Sequence, residues 1–114
     1  MKPLKRGQIW LVNFDPSFGH EYQKIRPALI VQNDDYIKMS ILVTVVPISS
    51  QKAKQTALDI LLKKDEMNRL AKDSLVKIKQ VSSFDKRRFV KYIGSVRPKS
   101  MQKIDKNLRL HLHL

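Results

Sequence analysis

Two polar clusters interrupt the apolar, β-rich first half of the chain. The first is Ser17-Phe18-Gly19-His20-Glu21-Tyr22-Gln23-Lys24-Ile25-Arg26. It gathers an acid, two cations, a histidine and two aromatic rings into ten residues. Rings that stack on bases, beside cations that meet phosphates, are the parts of a single-stranded nucleic-acid site. The same composition suits an ordinary surface hairpin with Phe18 or Tyr22 folded back on the core. The second cluster is Ser49-Ser50-Gln51-Lys52, directly after an apolar run. Standing alone, it reads as a plain turn.

Other chemistries find little support. The chain has no cysteine, which removes disulfides, thiolate metal sites and cysteine nucleophiles. Its histidines are His20, His111 and His113; the last two sit two apart, so on a helix they point to different sides. Asp34-Asp35 and Asp65-Glu66 are the adjacent acid pairs, and both suit turns and caps. No spacing resembles a zinc or calcium site, so neither a metal nor another cofactor is expected. With glycine only at Gly7, Gly19 and Gly94, there is no phosphate-cradling loop and no nucleophile elbow.

Charge points to partners. The 114 residues carry 23 Lys and Arg against 10 Asp and Glu, a net charge of +13. Residues 58–114 hold 15 basic and 6 acidic side chains, and Lys86 to Lys99 has six basic residues with no acid. Nucleic acid is the first candidate partner, because neutralising phosphates releases counterions. An acidic protein is the second. Apolar residues make up 42%, so the charge does not imply disorder. The length suits one domain, residues 1–114, with enough buried surface for one core. No apolar run approaches the roughly 18 residues of a membrane span. Met1 to Trp10 is basic but lacks the hydrophobic block of a secretory signal, so a cytoplasmic location is expected.

The elements that must position these clusters are mostly strands. Gln8 to Phe14 (QIWLVNF) predicts a strand ended by Asp15-Pro16. Pro27 to Gln32 and Ile41 to Ile48 predict two more, with Pro47 marking an end or an edge. Ala57 to Leu62, Ser74 to Val81 and Phe89 to Ile93 complete the set. Met101, Ile104, Leu108 and Leu112 recur at helical spacing, and Pro98 suits a first turn, which predicts a helix over Pro98 to Leu112. Short strands plus one terminal helix suggest a small, strongly curved, barrel-like sheet.

The whole sequence resembles the MazF/PemK family of type II toxin–antitoxin endoribonucleases. Arg6-Gly7-Gln8-Ile9-Trp10-Leu11-Val12 with Asp15-Pro16 looks like the family's opening strand. Gly19-His20-Glu21, then Arg26-Pro27-Ala28-Leu29-Ile30-Val31, look like its next segment. Val46-Pro47-Ile48-Ser49-Ser50-Gln51, then Asp73-Ser74-Leu75-Val76 and Gln80-Val81, follow in order. The resemblance implies a mainly β fold, an SH3-like β-barrel of the PemK/MazF/CcdB type with a C-terminal α-helix, forming a homodimer. It implies metal-independent, sequence-specific cleavage of single-stranded RNA, usually messenger RNA, and a cognate acidic antitoxin that blocks the groove.

Residue by residue, the resemblance makes Arg26 and Ser49 catalytic. A planar, permanently charged guanidinium can hold two oxygens of a reacting phosphate. Ser49 stands where members often carry a threonine, and its hydroxyl can hydrogen-bond a phosphate oxygen. Glu21 matches the family's glutamate, which can accept a proton or read a base edge. His20 can act as acid or base near neutrality. Phe18 could stack on a base, and Lys24, Ser50, Gln51 and Gln80 complete the RNA-binding set. Lys86, Arg87, Arg88 and Lys91 read as electrostatic steering or a solvated face. Two alternatives remain open on sequence: a toxin of the same barrel acting on DNA gyrase, and a non-catalytic basic RNA-binding module.

Overall fold

The computed structural model describes residues 2–15, 25–53 and 55–114. Its centre is strand β3 (Leu42–Ser49), with antiparallel β2 (Ile25–Ile30) on one edge. Strand β1 (Gln8–Asn13) lies beyond β2, and β7 (Phe89–Ser95) beyond β1. The other edge of β3 is divided. Strand β6 (Ser82–Asp85) takes Leu42 to Val45, and β5 (Ser74–Val76) takes Ile48 and Ser49. Strand β4 (Ile60–Leu62) pairs with β5 and ends the sheet. The seven strands form one curved sheet whose path runs from β4 to β7.

Both faces of the central strands are covered, which is why their sequences are runs of apolar residues with little alternation. One face buries Ile9, Leu29, Val46, Ile48 and Val76 against the C-terminal helix α2 (Pro98–Leu112) through Met101 and Ile104. Pro98 occupies the first turn of α2, where a missing N–H costs nothing. The opposite face buries Trp10, Val12, Ala28, Ile30, Val43, Val45 and Phe89 in a second cluster, with Ile37 of the short helix that follows β2. Phe89 and Tyr92 meet the Trp10 ring edge-on.

Several elements differ from the sequence expectation. Ser74 to Val81 is not one strand: after Val76 the chain turns through a 3₁₀ segment, Ile78–Gln80, that carries it from the β5 half of β3's edge to the β6 half. Strand β6 lacks an apolar pattern and exists because that edge of β3 needs a partner; Thr44 and Ser83 join their hydroxyls across it at 2.7 Å. Only the last three residues of the run ending at Leu62 are strand. Asp34-Asp35 lies in a short helix, α1 (Asp34–Ile37), whose N-cap Asn33 accepts from the Asp35 amide.

Pro47 neither ends β3 nor sits at the sheet's edge. It is buried opposite Ala28, inside the strand. A strand residue turns its nitrogen and its carbonyl to the same side. The Pro47 carbonyl accepts from the Lys77 amide at 2.9 Å, so the missing N–H faces the gap between β6 and β5 and breaks no bond to β2.

Candidate functional site

Arg26 and Ser49 come together through strand register. Ala28, Leu29 and Ile30 of β2 stand opposite Pro47, Val46 and Val45 of β3. Continuing that register by two residues puts Arg26 opposite Ser49, on the same face of the sheet. Arg26 is exposed, and Ser49 is half-buried. The Gln51 amide donates to Ser49 Oγ at 3.2 Å. Ser49 therefore serves as acceptor to its own turn, and its O–H remains to donate outward.

Two adjoining clefts meet at this pair. One, of about 420 Å³, is lined by Arg26, Ser49, Ser50 and Gln51 on one side and Leu70, Ala71 and Lys72 on the other. The second, of about 270 Å³, is lined by Arg26, Ser49 and Gln51 together with Ala53, Lys77 and Gln80. Five sequence-predicted residues thus gather at one place. Arg26, Ser49 and Gln51 border both clefts, Ser50 borders the first and Gln80 the second. Phe18, His20, Glu21 and Lys24 lie outside the described residues. Among the described residues no three His, Asp or Glu side chains gather as metal ligands would.

Lys72 and Lys77 are cleft residues that sequence reasoning missed. Lys72 lies in the loop between β4 and β5. Asn68, 1% exposed, holds that loop by donating to the Lys63 carbonyl at 2.9 Å and accepting from the Asp65 and Leu70 amides at 3.0 Å. Asp65 caps the Met67 and Asn68 amides and accepts from Arg97 Nε at 3.1 Å. These contacts, the Asn68 amide foremost, hold its carboxyl below the ordinary value. The loop lies flat on β7 at Gly94, where an added Cβ would stand 2.5 Å from the carbonyl oxygens of Met67 and Asn68. Nothing in the local sequence marks Lys72.

Lys77 does carry a signal, since it interrupts the apolar run of SLVKIKQV, but alternation assigns such a residue to solvent. Its Nζ lies instead 2.7 Å from Asp59 Oδ2. Asp59 is buried and also accepts from the Thr56 amide at 2.9 Å. Burial pushes the Asp59 carboxyl up, but the Lys77 ammonium and the Thr56 amide outweigh it and hold the pKa below 3.8.

The basic run lies elsewhere, and one of its members, Arg88, is structural. Arg88 donates to the carbonyl of Asn13, at 3.1 Å, and to that of Asp15, fastening the end of β1. Arg87 makes a two-pronged pair with Asp85 at 3.1 and 3.0 Å on the surface. None of Lys86, Arg87, Arg88 and Lys91 lines either cleft.

Comparison with known proteins identifies the family and the fold. A family model described as PemK-like, MazF-like toxin of type II toxin–antitoxin system matches residues 5–112. Endoribonuclease MazF9 of Mycobacterium tuberculosis is 33% identical over 116 residues, covering 97% of this chain and 98% of the relative. MazF of Deinococcus radiodurans superposes with a TM-score of 0.78 at 21% identity, covering 97% of each chain. A mycobacterial endoribonuclease solved in complex with its cognate antitoxin superposes at 0.77 and 23% identity, covering 99% of this chain and 97% of that one. At such identities the structural likeness speaks for the fold.

Proposed function

The chain belongs to the PemK-like, MazF-like toxins of type II toxin–antitoxin systems, and from that premise we propose that it cuts single-stranded RNA at Arg26 and Ser49. It is an endoribonuclease of that family. The observation that carries the site is the register that sets a guanidinium opposite a hydroxyl where two clefts meet.

The chemistry follows from those groups. A ribose 2′-oxygen attacks the neighbouring phosphorus, and its proton passes to a base. The bond from phosphorus to the 5′-oxygen breaks, and that oxygen takes up a proton. The products are a 2′,3′-cyclic phosphate and a 5′-hydroxyl. Arg26 spreads positive charge over the oxygens that become more negative on the way. Ser49 donates its O–H to one of them and fixes the phosphate against the strand ends. Ser50 borders the chain on one side of the cut and Gln80 on the other, with Gln51 reaching both. Phe18, His20, Glu21 and Lys24 belong to this proposal on the family resemblance. No step needs a metal or another cofactor.

The same reading covers partners and place. A protein of net charge +13 suits an acidic antitoxin that competes with RNA for the clefts. The mycobacterial relative solved with its antitoxin supports that partner. We take residues 1–114 as one toxin domain that acts as a homodimer in the cytoplasm, where messenger RNA is. Among the described residues no helix is long and apolar enough to cross a membrane.

The test is incubation of antitoxin-free protein with a long single-stranded RNA in excess EDTA, followed by analysis of the new ends. Discrete cuts with a cyclic or 3′-phosphate on one side and a 5′-hydroxyl on the other are expected. Intact RNA, or loss of cutting in EDTA, overturns the proposal.

A further inference from the structure

The second cleft carries a cation that the proposed chemistry does not use. Lys77 shares that cleft with Arg26, Ser49, Gln51 and Gln80. Its backbone belongs to the same rigid frame as Ser49, because its amide is bonded to the Pro47 carbonyl two residues upstream. Its side chain is fixed as well. Asp59 Oδ2, 2.7 Å away, holds Nζ, and that carboxylate is itself held by the Thr56 amide. The pair is polarised by burial: the Asp59 side chain is 1% exposed and that of Lys77 12%. Lys77 lines the cleft and Asp59 does not, so the cation is the member of the pair on the cleft side.

We propose that Lys77 is a substrate-binding residue, one that contacts the RNA phosphate next to the scissile one on the Gln80 side, and that Asp59 is its positioning residue. This rests on the RNA-cleaving reading of the site. A chain whose scissile phosphate sits between Arg26 and Ser49 must leave through both clefts. An extended nucleic-acid strand advances several ångströms per phosphate, so its next charge falls within the neighbouring cleft. A free lysine side chain loses rotamer entropy on binding. Lys77 has lost it already to Asp59, so the contact is preorganised. A phosphate contact carries affinity and register without sequence information.

The experiment uses the full-length protein with a short RNA spanning one mapped cut site. Lys77→Met alone leaves a buried carboxylate unpaired and threatens the fold, so the main variant is Asp59→Asn combined with Lys77→Met. It is expected to raise KM roughly tenfold, the loss of one charge-assisted hydrogen bond, with kcat changed little. The slope of log binding constant against log salt, measured in a slow-cutting Arg26→Ala background over times short against its cleavage, should fall by about 0.7, one phosphate's worth on a single strand. Lys77→Arg should restore the slope, and the cleaved sequence should stay the same in every variant. An unchanged KM and salt slope in a folded double variant overturns the proposal. So does a changed cleavage sequence, which would place Lys77 on a base. If the wild-type protein does not cut RNA at all, the parent reading fails instead, and the two failures are told apart on one gel.

Discussion

The molecule has two basic regions, and they do different work. At the clefts, Arg26 is exposed and has no carboxylate partner among the described residues. In the run from Lys86 to Lys91, Arg87 is paired with Asp85 and Arg88 is spent on backbone carbonyls. Sequence makes the second region look richer in charge. On the reading proposed above, charge density is a poor guide to where an anion binds. What matters is whether the fold has already committed the charge, and whether it stands in a concave place beside other donors. Arg26 satisfies both conditions, while Arg87 and Arg88 are already committed and line neither cleft.

That contrast can be broken by mutation. Arg26→Ala should lower the cleavage rate about 10²–10³-fold, the usual cost of removing a donor aimed at developing negative charge. Circular dichroism and the melting temperature should be unchanged, because no described residue depends on that side chain. A rate within threefold of wild type would erase the distinction between the regions. Arg88→Ala should show the opposite pattern. It removes a charged donor from the Asn13 and Asp15 carbonyls and should cost about 1.5–3 kcal/mol in urea unfolding.

Ser49→Ala should slow cleavage roughly tenfold, the value of one hydrogen bond to a charged oxygen. Ser49→Thr should keep the rate, since it keeps the hydroxyl and stiffens its rotamer. Loss of activity in the threonine variant would show that the half-buried site has no room for a methyl group.

A smaller effect is expected on the acid side. The folded Asp59 carboxyl has a pKa below its ordinary 3.8. Its stabilising contribution is therefore complete well above pH 3.8 and fades as pH falls through 3.8 towards the folded value. Thermal melts of wild type and Asp59→Asn against pH should converge at the acid end, and parallel curves would refute the assignment. Least of all, Arg87→Ala should leave the melting temperature unchanged at physiological salt, because the Asp85 pair is exposed and screened. A clear shift there would mean that Arg87 is more than a solvated cation.

Much of the fold was legible. Apolar runs marked β1, β2, β3 and β7, and the spacing of Met101, Ile104 and Leu108 marked α2. Strand β6 was not, because Ser82-Ser83-Phe84-Asp85 has no pattern of its own and forms only where β3 offers an empty edge. Pro47 misled for a related reason: a proline is harmless in a central strand when its nitrogen faces a gap, and only pairing decides which way it faces.

The site divides along the same line. Sequence by itself determined the family and the basic character and nominated Arg26, Ser49, Ser50, Gln51 and Gln80, because residue types at motif spacing survive in one dimension. Only the tertiary structure decided that Arg26 and Ser49 border the same clefts, through the pairing of β2 with β3. It also decided that Lys72 and Lys77 line the clefts while Arg87 and Arg88 do not. The physical reason is that a cation's role depends on what the folded chain puts beside it. For Lys77 that neighbour is Asp59, 18 residues away along the chain and 2.7 Å away in space.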